Sequence, residues 1–445
     1  MRKFFSVIVL ICSVFVCSAQ YNGYSLSTVS VRIYDASASV LNEIQKIPEI
    51  ENRLVQFGTD ISQSDFDAVC SKFKWIKKLV VENTQEITDL SSVKKLKELE
   101  SLQLKKCHTQ EPISLAPLAE VASLKELLVI STDVIDYESL SELQNLESVS
   151  FEKSPLASLG FLAKMKQLKK LNISGSSHTF INYDTLAALN QLTLLDVSYN
   201  PQATDATLDV FSDVATFTKV NVSECDRLKS LGFLYSSTSR LQEFYAIGCD
   251  SIGNFDMLIR ATRLKKVDIS HSSAKNVAFL KNKVNMKELN ASHTQVSSVA
   301  ELEPSVNLEK LDISYTNVAD ISVLSVMDKL KRLNISHTLI TDVSPLAGCI
   351  SLTDFDCSHT QISSIEGMEH CEKLSRINIG YTPIEHLQPF YAAKKIKEII
   401  LDEDVLSVHT DALKRRSPLI IINYVKSNAE TTENGTMEQN EGENE

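Results

Sequence analysis

Aspartate, serine and histidine return together at one fixed spacing. They read Asp268-Ser270-His271, Asn290-Ser292-His293, Asp312-Ser314-Tyr315, Asn334-Ser336-His337 and Asp356-Ser358-His359, ending with Asn378 and Tyr381. These residue types admit three kinds of chemistry. Serine, histidine and a carboxylate make a hydrolytic relay when one serine is singled out beside an oxyanion hole. Paired histidines, His271 with His293 and His337 with His359, could hold zinc or copper if their rings converge. A regular strip of acceptors and aromatic rings could instead recognise another macromolecule. The repetition argues for the last. No serine is singular, no Gly-rich elbow is present, and no third protein ligand accompanies a histidine pair. No catalytic residue, metal or cofactor is expected, and a hydrolase or metal-binding protein is the remotest reading.

The elements that carry these residues have a period. LEKLDISYT, starting at Leu308, returns from Leu264, Met286, Leu330, Leu352 and Leu374, each start 22 residues from the next. Further starts fall at Ile76, Leu99, Leu124, Leu146, Leu168, Leu192, Phe217, Leu241 and Ile396, which makes fifteen coils. A period of this size marks a stacked repeat architecture. Positions 1, 4 and 6 are apolar, and 4 and 6 alternate with polar 3, 5 and 7, the pattern of a strand with one buried face. After the strand, apolar residues recur every three, as in Val318, Ile321 and Leu324. That spacing predicts a short 3₁₀-like return arm, because about a dozen residues are too few for a helix and two loops. No coil can bury its own apolar face, so stacked coils share one core beneath a parallel sheet.

This pattern resembles leucine-rich repeats, and TLITDVSPLAGCISL (338–352) is similar to the 22-residue class of bacterial internalins. The resemblance spans residues 76–404 and implies an α/β fold: a right-handed leucine-rich-repeat solenoid with a parallel concave β-sheet, a short 3₁₀ or helical convex side, and caps at both ends. It also implies that the concave face binds another macromolecule. Two departures stand out. The usual Asn at position 9 occurs only at Asn200, with Thr, Ser or Cys mostly in its place. Internalins also continue into an immunoglobulin-like module and a wall anchor, neither of which is legible here, so host-cell invasion is not carried over.

The outward positions define the candidate surface. Position 5 alternates acid and amide: Asp268, Asn290, Asp312, Asn334, Asp356, Asn378. Adjacent aspartates at about 5 Å would repel by roughly 3 kcal/mol at an effective dielectric of 20, and an interposed amide relieves this while donating a hydrogen bond. The column is therefore either a ladder that makes the sheet tolerable in water or a strip of acceptors for a ligand. Position 7 is mostly serine, interrupted by Ile247 and ended by Gly380. Position 8 reads His271, His293, Tyr315, His337, His359, Tyr381, and either paves a turn or supplies recognition contacts. Lys310, Arg332 and Arg376 flank the acid-amide column from position 3.

At the front, Arg2 and Lys3, an apolar run from Phe4 to Val16 and then Cys17-Ser18-Ala19 read as a signal peptide (1–19) cut after Ala19. Residues 20–75 are expected to cap the first coil, with strands in VSVRIYD (29–35) and RLVQFG (53–58) and helices from Val40 and from Asp65. Residues 405–425 are expected to close the other end with a helix (411–416) and a strand (419–425). The tail, 426–445, is acidic, nearly without apolar residues, and expected to be disordered.

Acidic residues outnumber basic ones by 57 to 45. That balance argues against nucleic acid, which needs clustered positive charge. No transmembrane segment is expected after the signal peptide. The seven remaining cysteines show no CxxC or zinc spacing, and core thiols are the expectation even for Cys225/Cys249 and Cys349/Cys371, which stand one coil apart. Asn172, Asn221, Asn290 and Asn334 start N-x-S sequons that follow automatically from the column pattern. The sequence thus points to a secreted, non-enzymatic recognition protein, periplasmic, extracellular or on the cell surface. It would bind a protein or glycan along the concave face; the sequence leaves the oligomeric state open, with a monomer favoured. The alternative is a structural or adhesive component in which the solenoid is a spacer.

Overall fold

The computed structural model describes residues 19–21, 24–26, 30–46, 54–59, 61–176, 183–394, 396–403 and 407–425. The expected signal peptide up to residue 18 and the acidic tail lie outside them. The chain divides into two compact units, one of Met1–Ala274 with Ala278–Lys283, the other of Lys275–Val277 with Val284–Glu445.

The first unit begins with an antiparallel hairpin, Ala19–Tyr21 against Tyr24–Leu26, laid beside Ser30–Ile33. From there every pairing described along the main sheet of this unit is parallel. Ser30–Ile33 and Leu54–Phe57 stack in step on the first coil's strand, Lys78–Glu82. The segment ahead of the coils therefore copies their plan, with full helices as return arms. Ala38–Ile44 buries Val40, Leu41 and Ile44. Gln63–Lys72 buries Phe66, Val69 and Cys70 and starts at a capping box, in which Ser62 accepts from the Asp65 N–H and Asp65 accepts from the Ser62 N–H. Arg32, Gln56 and Glu82 tie these strands together laterally, with both donors 2.6 Å from Glu82 Oε1.

In the second unit, Glu288–Asn290, Lys310–Asp312, Arg332–Asn334, Asp354–Asp356, Arg376–Asn378, Glu398–Asp402 and Ile421–Val425 pair in parallel order. The register never slips. Leu289, Leu311, Leu333, Phe355, Ile377 and Ile399 face one another and are buried. A one-residue slip would turn this whole set to water, which is why the register is so strongly specified.

The return arms are short 3₁₀ turns, as the spacing of three predicts: Ser322–Val326, Ser344–Gly348 and Gln388–Ala392. Val318, Ile321, Leu324 and Met327 are all buried along one such arm. Successive arms come very close. A Cβ on Gly348 would sit 1.8 Å from the Ser325 carbonyl oxygen.

Position 9 solves its backbone problem in three ways. Asn200 donates to two carbonyls, Val197 in its own coil (3.0 Å) and Ile173 in the coil before (2.7 Å). Thr294, Thr316, Thr338, Thr360 and Thr382 each donate at 2.6 Å, to the position-6 carbonyl of their own coil alone. Cys225 and Cys249 point their thiols back at the preceding coil, toward the Val197 and Val222 carbonyls. Threonine thus keeps the local bond and gives up the link between coils.

The last coil is followed by a helix, Ser407–Arg416, seated on the final return arm through Leu413 and His409. The Tyr391 hydroxyl lies 2.9 Å from His409 Nδ1, and Arg416 stacks over the Tyr391 ring. The strand Ile421–Val425 then adds to the sheet beside Glu398–Asp402.

The Gly348 approach gives a direct test. Gly348→Ala must push two backbones apart and should cost about 1–3 kcal/mol. Gly253→Ala has open space around its Cβ and should be neutral or slightly stabilising. Urea unfolding midpoints of the two variants measure the difference.

Candidate recognition surface

Position 5 is held by the strand, and its side chains turn back onto their own chain. Oδ1 of Asp312 accepts both the Ser314 N–H (3.0 Å) and the Ser314 hydroxyl (2.7 Å). Asp268 with Ser270, and Asp356 with Ser358, repeat this. The second oxygen is engaged from the next coil. Asn334 Nδ2 donates to Asp312 Oδ2 at 3.1 Å and Asn378 Nδ2 to Asp356 Oδ2 at 2.9 Å, as Asn221 does to Asp196 in the first unit. The alternation is thus a set of acid-amide couples, each a carboxylate with the amide of the following coil. Asn290 also sits on its strand and accepts from the Ser292 N–H. Within these couples most acceptor capacity is spent on the protein itself.

The same geometry bears on the hydrolytic reading. The serine hydroxyl donates to aspartate at 2.6–2.7 Å, so its proton is already committed to the carboxylate that a relay would place behind histidine.

The cations are likewise engaged. Lys310 lies 3.2 Å from Glu288, and Arg332 and Arg376 both reach Asp354. One residue earlier in the strand, Glu309 bridges Lys287 (3.4 Å) and Lys331 (2.6 Å), which holds its carboxyl below the usual range. These pairs are exposed and contribute little stability individually. Their effect is to set each of these cations against a carboxylate.

Position 8 is the feature that sequence reasoning missed. In fourteen successive coils, from Asn83 to Tyr381, this residue is left-handed, with φ between 46° and 67°. The chain turns there while keeping its place in the ladder. The N–H groups of His293, Tyr315 and His337 donate to the position-7 carbonyls of the next coil at 2.9–3.0 Å. A left-handed residue with a Cβ costs roughly 1–2 kcal/mol, and bulky side chains adopt this conformation rarely. Gly175 and Gly248, in the same column as the tyrosines and histidines, were the available signal.

Fixing position 8 in one conformation fixes the direction of its side chain. In the second unit this builds one continuous stack. His293, Tyr315, His337, His359 and Tyr381 follow one another with ring centroids 3.9–4.1 Å apart and planes within 20°. Inner rings cover each other's faces and present their edges outward; Tyr315 remains 46% exposed. His271, in the first unit, is also left-handed and exposed. The imidazole lone pairs of His337 and His359 lie in two near-parallel planes with ring centroids 4.0 Å apart, an arrangement that does not converge on one metal ion.

Serine at position 7 keeps the lane beside the stack low. Its replacement by Gly380 has a local cause: a Cβ there would lie 2.9 Å from the Val425 side chain, which leans over it.

The seven cysteines among the described residues are free and buried. Burial pushes the Cys225 and Cys349 thiols up to about 12 and those of Cys249 and Cys371 up to about 11. Cys349 and Cys371 point toward the Leu324 and Leu346 carbonyls, one coil back in each case, so the paired thiols run side by side. The sequon residues Asn221 and Asn334 are tied into the couples, and glycosylation would have to break them.

The stack makes two predictions. Tyr315→Ala keeps the left-handed strain and loses two ring contacts, while Tyr315→Gly loses the contacts but relieves the strain. The glycine variant should therefore be the more stable of the two by about 1 kcal/mol in urea unfolding, with wild type above the alanine variant. The second concerns pH. Burial, helped by His359 and His293, lowers the His337 pKa below its ordinary value of 6.5 against the opposing pull of Asp356. The unfolded chain then binds the proton more readily, so this stability is full above pH 6.5 and falls as acid approaches the lower folded value. His337→Tyr should flatten that part of a stability-versus-pH curve measured by chemical denaturation.

Comparison with known proteins gives the same architecture. The family model described as leucine-rich repeats (two copies) matches residues 306–348 and 328–368. An internalin of Listeria monocytogenes is 19% identical with a TM-score of 0.58, covering 76% of this chain and 94% of that one. A leucine-rich-repeat protein of Leptospira interrogans is 13% identical with a TM-score of 0.60, covering 88% and 99%. The ectodomain of a plant membrane receptor kinase from Arabidopsis thaliana, solved in complex with Casparian strip integrity factor 2, is 14% identical with a TM-score of 0.56, covering 83% and 52%. No curated protein matches the chain by sequence.

Proposed function

For a chain built of leucine-rich repeats in an internalin-like solenoid, we propose a secreted, non-enzymatic recognition role. The ligand is a protein, bound along the outward sheet face of the second unit. The observation that carries this reading is the five-ring stack from His293 to Tyr381, exposed at His293, Tyr315 and His359 and half-buried at His337 and Tyr381, beside a lane of serines and a flank of mutually paired charges. Aromatic residues are the anchors that protein interfaces favour. Here each is also pre-set by a left-handed backbone, so little ordering entropy remains to be lost on binding.

A protein fits better than a glycan. Sugars pack on aromatic faces, and the inner faces of this stack are already covered. Ring edges, phenol hydroxyls and imidazole nitrogens suit backbone carbonyls and polar side chains. The plant receptor ectodomain, captured with its partner, is a precedent for such a scaffold in recognition. Secretion is supported by the basic-apolar-small start of the chain. No helix among the described residues is long and apolar enough to cross a membrane. Because the acid-amide couples satisfy one another, they serve here as a rigid floor, and the rings beside them make the contacts.

The test uses glycine, which the backbone at position 8 accepts. Tyr315→Gly with His359→Gly should keep the circular dichroism spectrum while weakening capture of partners, from peptide arrays or from surrounding medium, at least tenfold. Undiminished capture by this variant would falsify the assignment of the stack.

A further inference from the structure

The terminal strand, Ile421–Val425, leaves apolar surface exposed where the sheet ends. Among the described residues it pairs with Glu398–Asp402 alone. Its register sets Ile422 and Tyr424 against the buried Ile399 and Leu401, on the core side of the sheet. Yet Tyr424 is 47% exposed, because among the described residues no coil stacks on this strand, while Ile421, on the outward face opposite Glu398, is 59% exposed and the preceding Leu419 93%. The Ile421 N–H donates to the Lys397 carbonyl, toward the sheet. By alternation, the N–H groups of Ile422 and Tyr424 point to the opposite, open edge. An occupant of this edge has to supply a strand.

From this edge we infer that two copies of the chain join by antiparallel pairing of Ile421–Val425 about a two-fold axis at Asn423. The strand is complementary to itself in that arrangement. Ile421 falls opposite Val425 of the second copy, Ile422 opposite Tyr424, and Asn423 opposite Asn423, whose amide donates one N–H to Glu398 Oε1 at 2.9 Å and keeps its second N–H and its oxygen for the axis. Every pair is apolar with apolar or amide with amide, and residues facing each other lie on the same side of the sheet. No charged residue lies within the strand.

Charge outside the strand favours the same direction. Lys414, Arg415 and Arg416 precede it, and beyond a single Lys426 the sequence that follows is rich in glutamate, beginning with Glu430 and Glu433. Antiparallel pairing brings the basic approach of one copy toward the acidic continuation of the other. Parallel pairing would oppose like charges. The pairing extends one sheet into the next by main-chain hydrogen bonds, in the manner of strand addition. A five-residue edge covers less than the area of about 1,200 Å² or more typical of stable complexes, so the association is weak and concentration-dependent. It departs from the monomer favoured by the sequence, and it does not depend on the proposed recognition surface.

The experiment is sedimentation velocity on the full chain from roughly 1 to 200 μM. Wild type should move from one chain mass toward two across this range. Ile421→Lys, on an exposed side chain, should weaken the dimer at least tenfold with no change in unfolding midpoint. Ile422→Pro, which removes a donor from the open edge only, should do the same. Ile421→Lys combined with Val425→Glu places opposite charges across the two-fold and should regain at least half of the lost affinity. A single chain mass at every concentration overturns the inference. So does a dimer that ignores Ile421→Lys, or a double variant no better than the single.

Discussion

Every coil depends on how the chain leaves its strand. The left-handed residue at position 8 lets a short strand stay in the parallel ladder and still turn at once into a tight return arm. Without that turn, a 22-residue coil would lack the length to close. The strain is a fixed local cost at each copy, and much of the outer surface follows from it. The residue is locked, its side chain has one direction, and neighbouring coils repeat that direction a strand's width away. Stacked rings are the result wherever the column carries rings. Conformational economy and surface chemistry are the same fact seen from two sides of the backbone.

The buried side of the coil was legible in sequence because its rules are periodic. Leu308, Leu311 and Ile313 must be apolar in every copy, and spacing of three can serve only a tight return arm. The outer side was legible as columns and less so as contacts. Alternation of Asp and Asn announced a ladder, but not that each carboxylate spends one oxygen on its own serine and the other on the next coil's amide. That depends on side-chain torsions, which composition does not encode. Position 8 was read as paving or recognition, with no strain expected, because tyrosine gives no flag for a left-handed backbone and histidine only a weak one. Gly175, Gly248 and Asn83 in the column were the clearer signs.

The ends follow different physics. Ahead of the first coil, Phe57 and Phe66 pack beneath two strands that imitate the repeat, with full helices as return arms. The first unit therefore starts with a graded change from helix to 3₁₀ turn. At the other end a helix covers the last return arm while, among the described residues, nothing pairs with the outer edge of the last strand. Burial at one end and exposure at the other come from the same rule, that apolar faces in a stack are shared between neighbours. The final neighbour is either supplied by the chain or left open.

The acid-amide couples carry a consequence for how such a chain can lengthen or shorten. A single coil is the unit of stacking, since the register accepts any whole copy. It is not the unit of the outer surface. Excising Leu308 to Lys329 would preserve every buried column yet set Asn290 beside Asn334, leaving two amides where an acid and an amide had been joined. Removing two coils together restores the alternation. The ring column, with its spacing of three, would still be rearranged by either excision. The scaffold is thus heritable in steps of 22 residues, its polar floor in steps of 44, and its aromatic ridge in steps of 66. A lineage that gains or loses coils keeps its fold readily and the pattern of its outer face only at particular lengths.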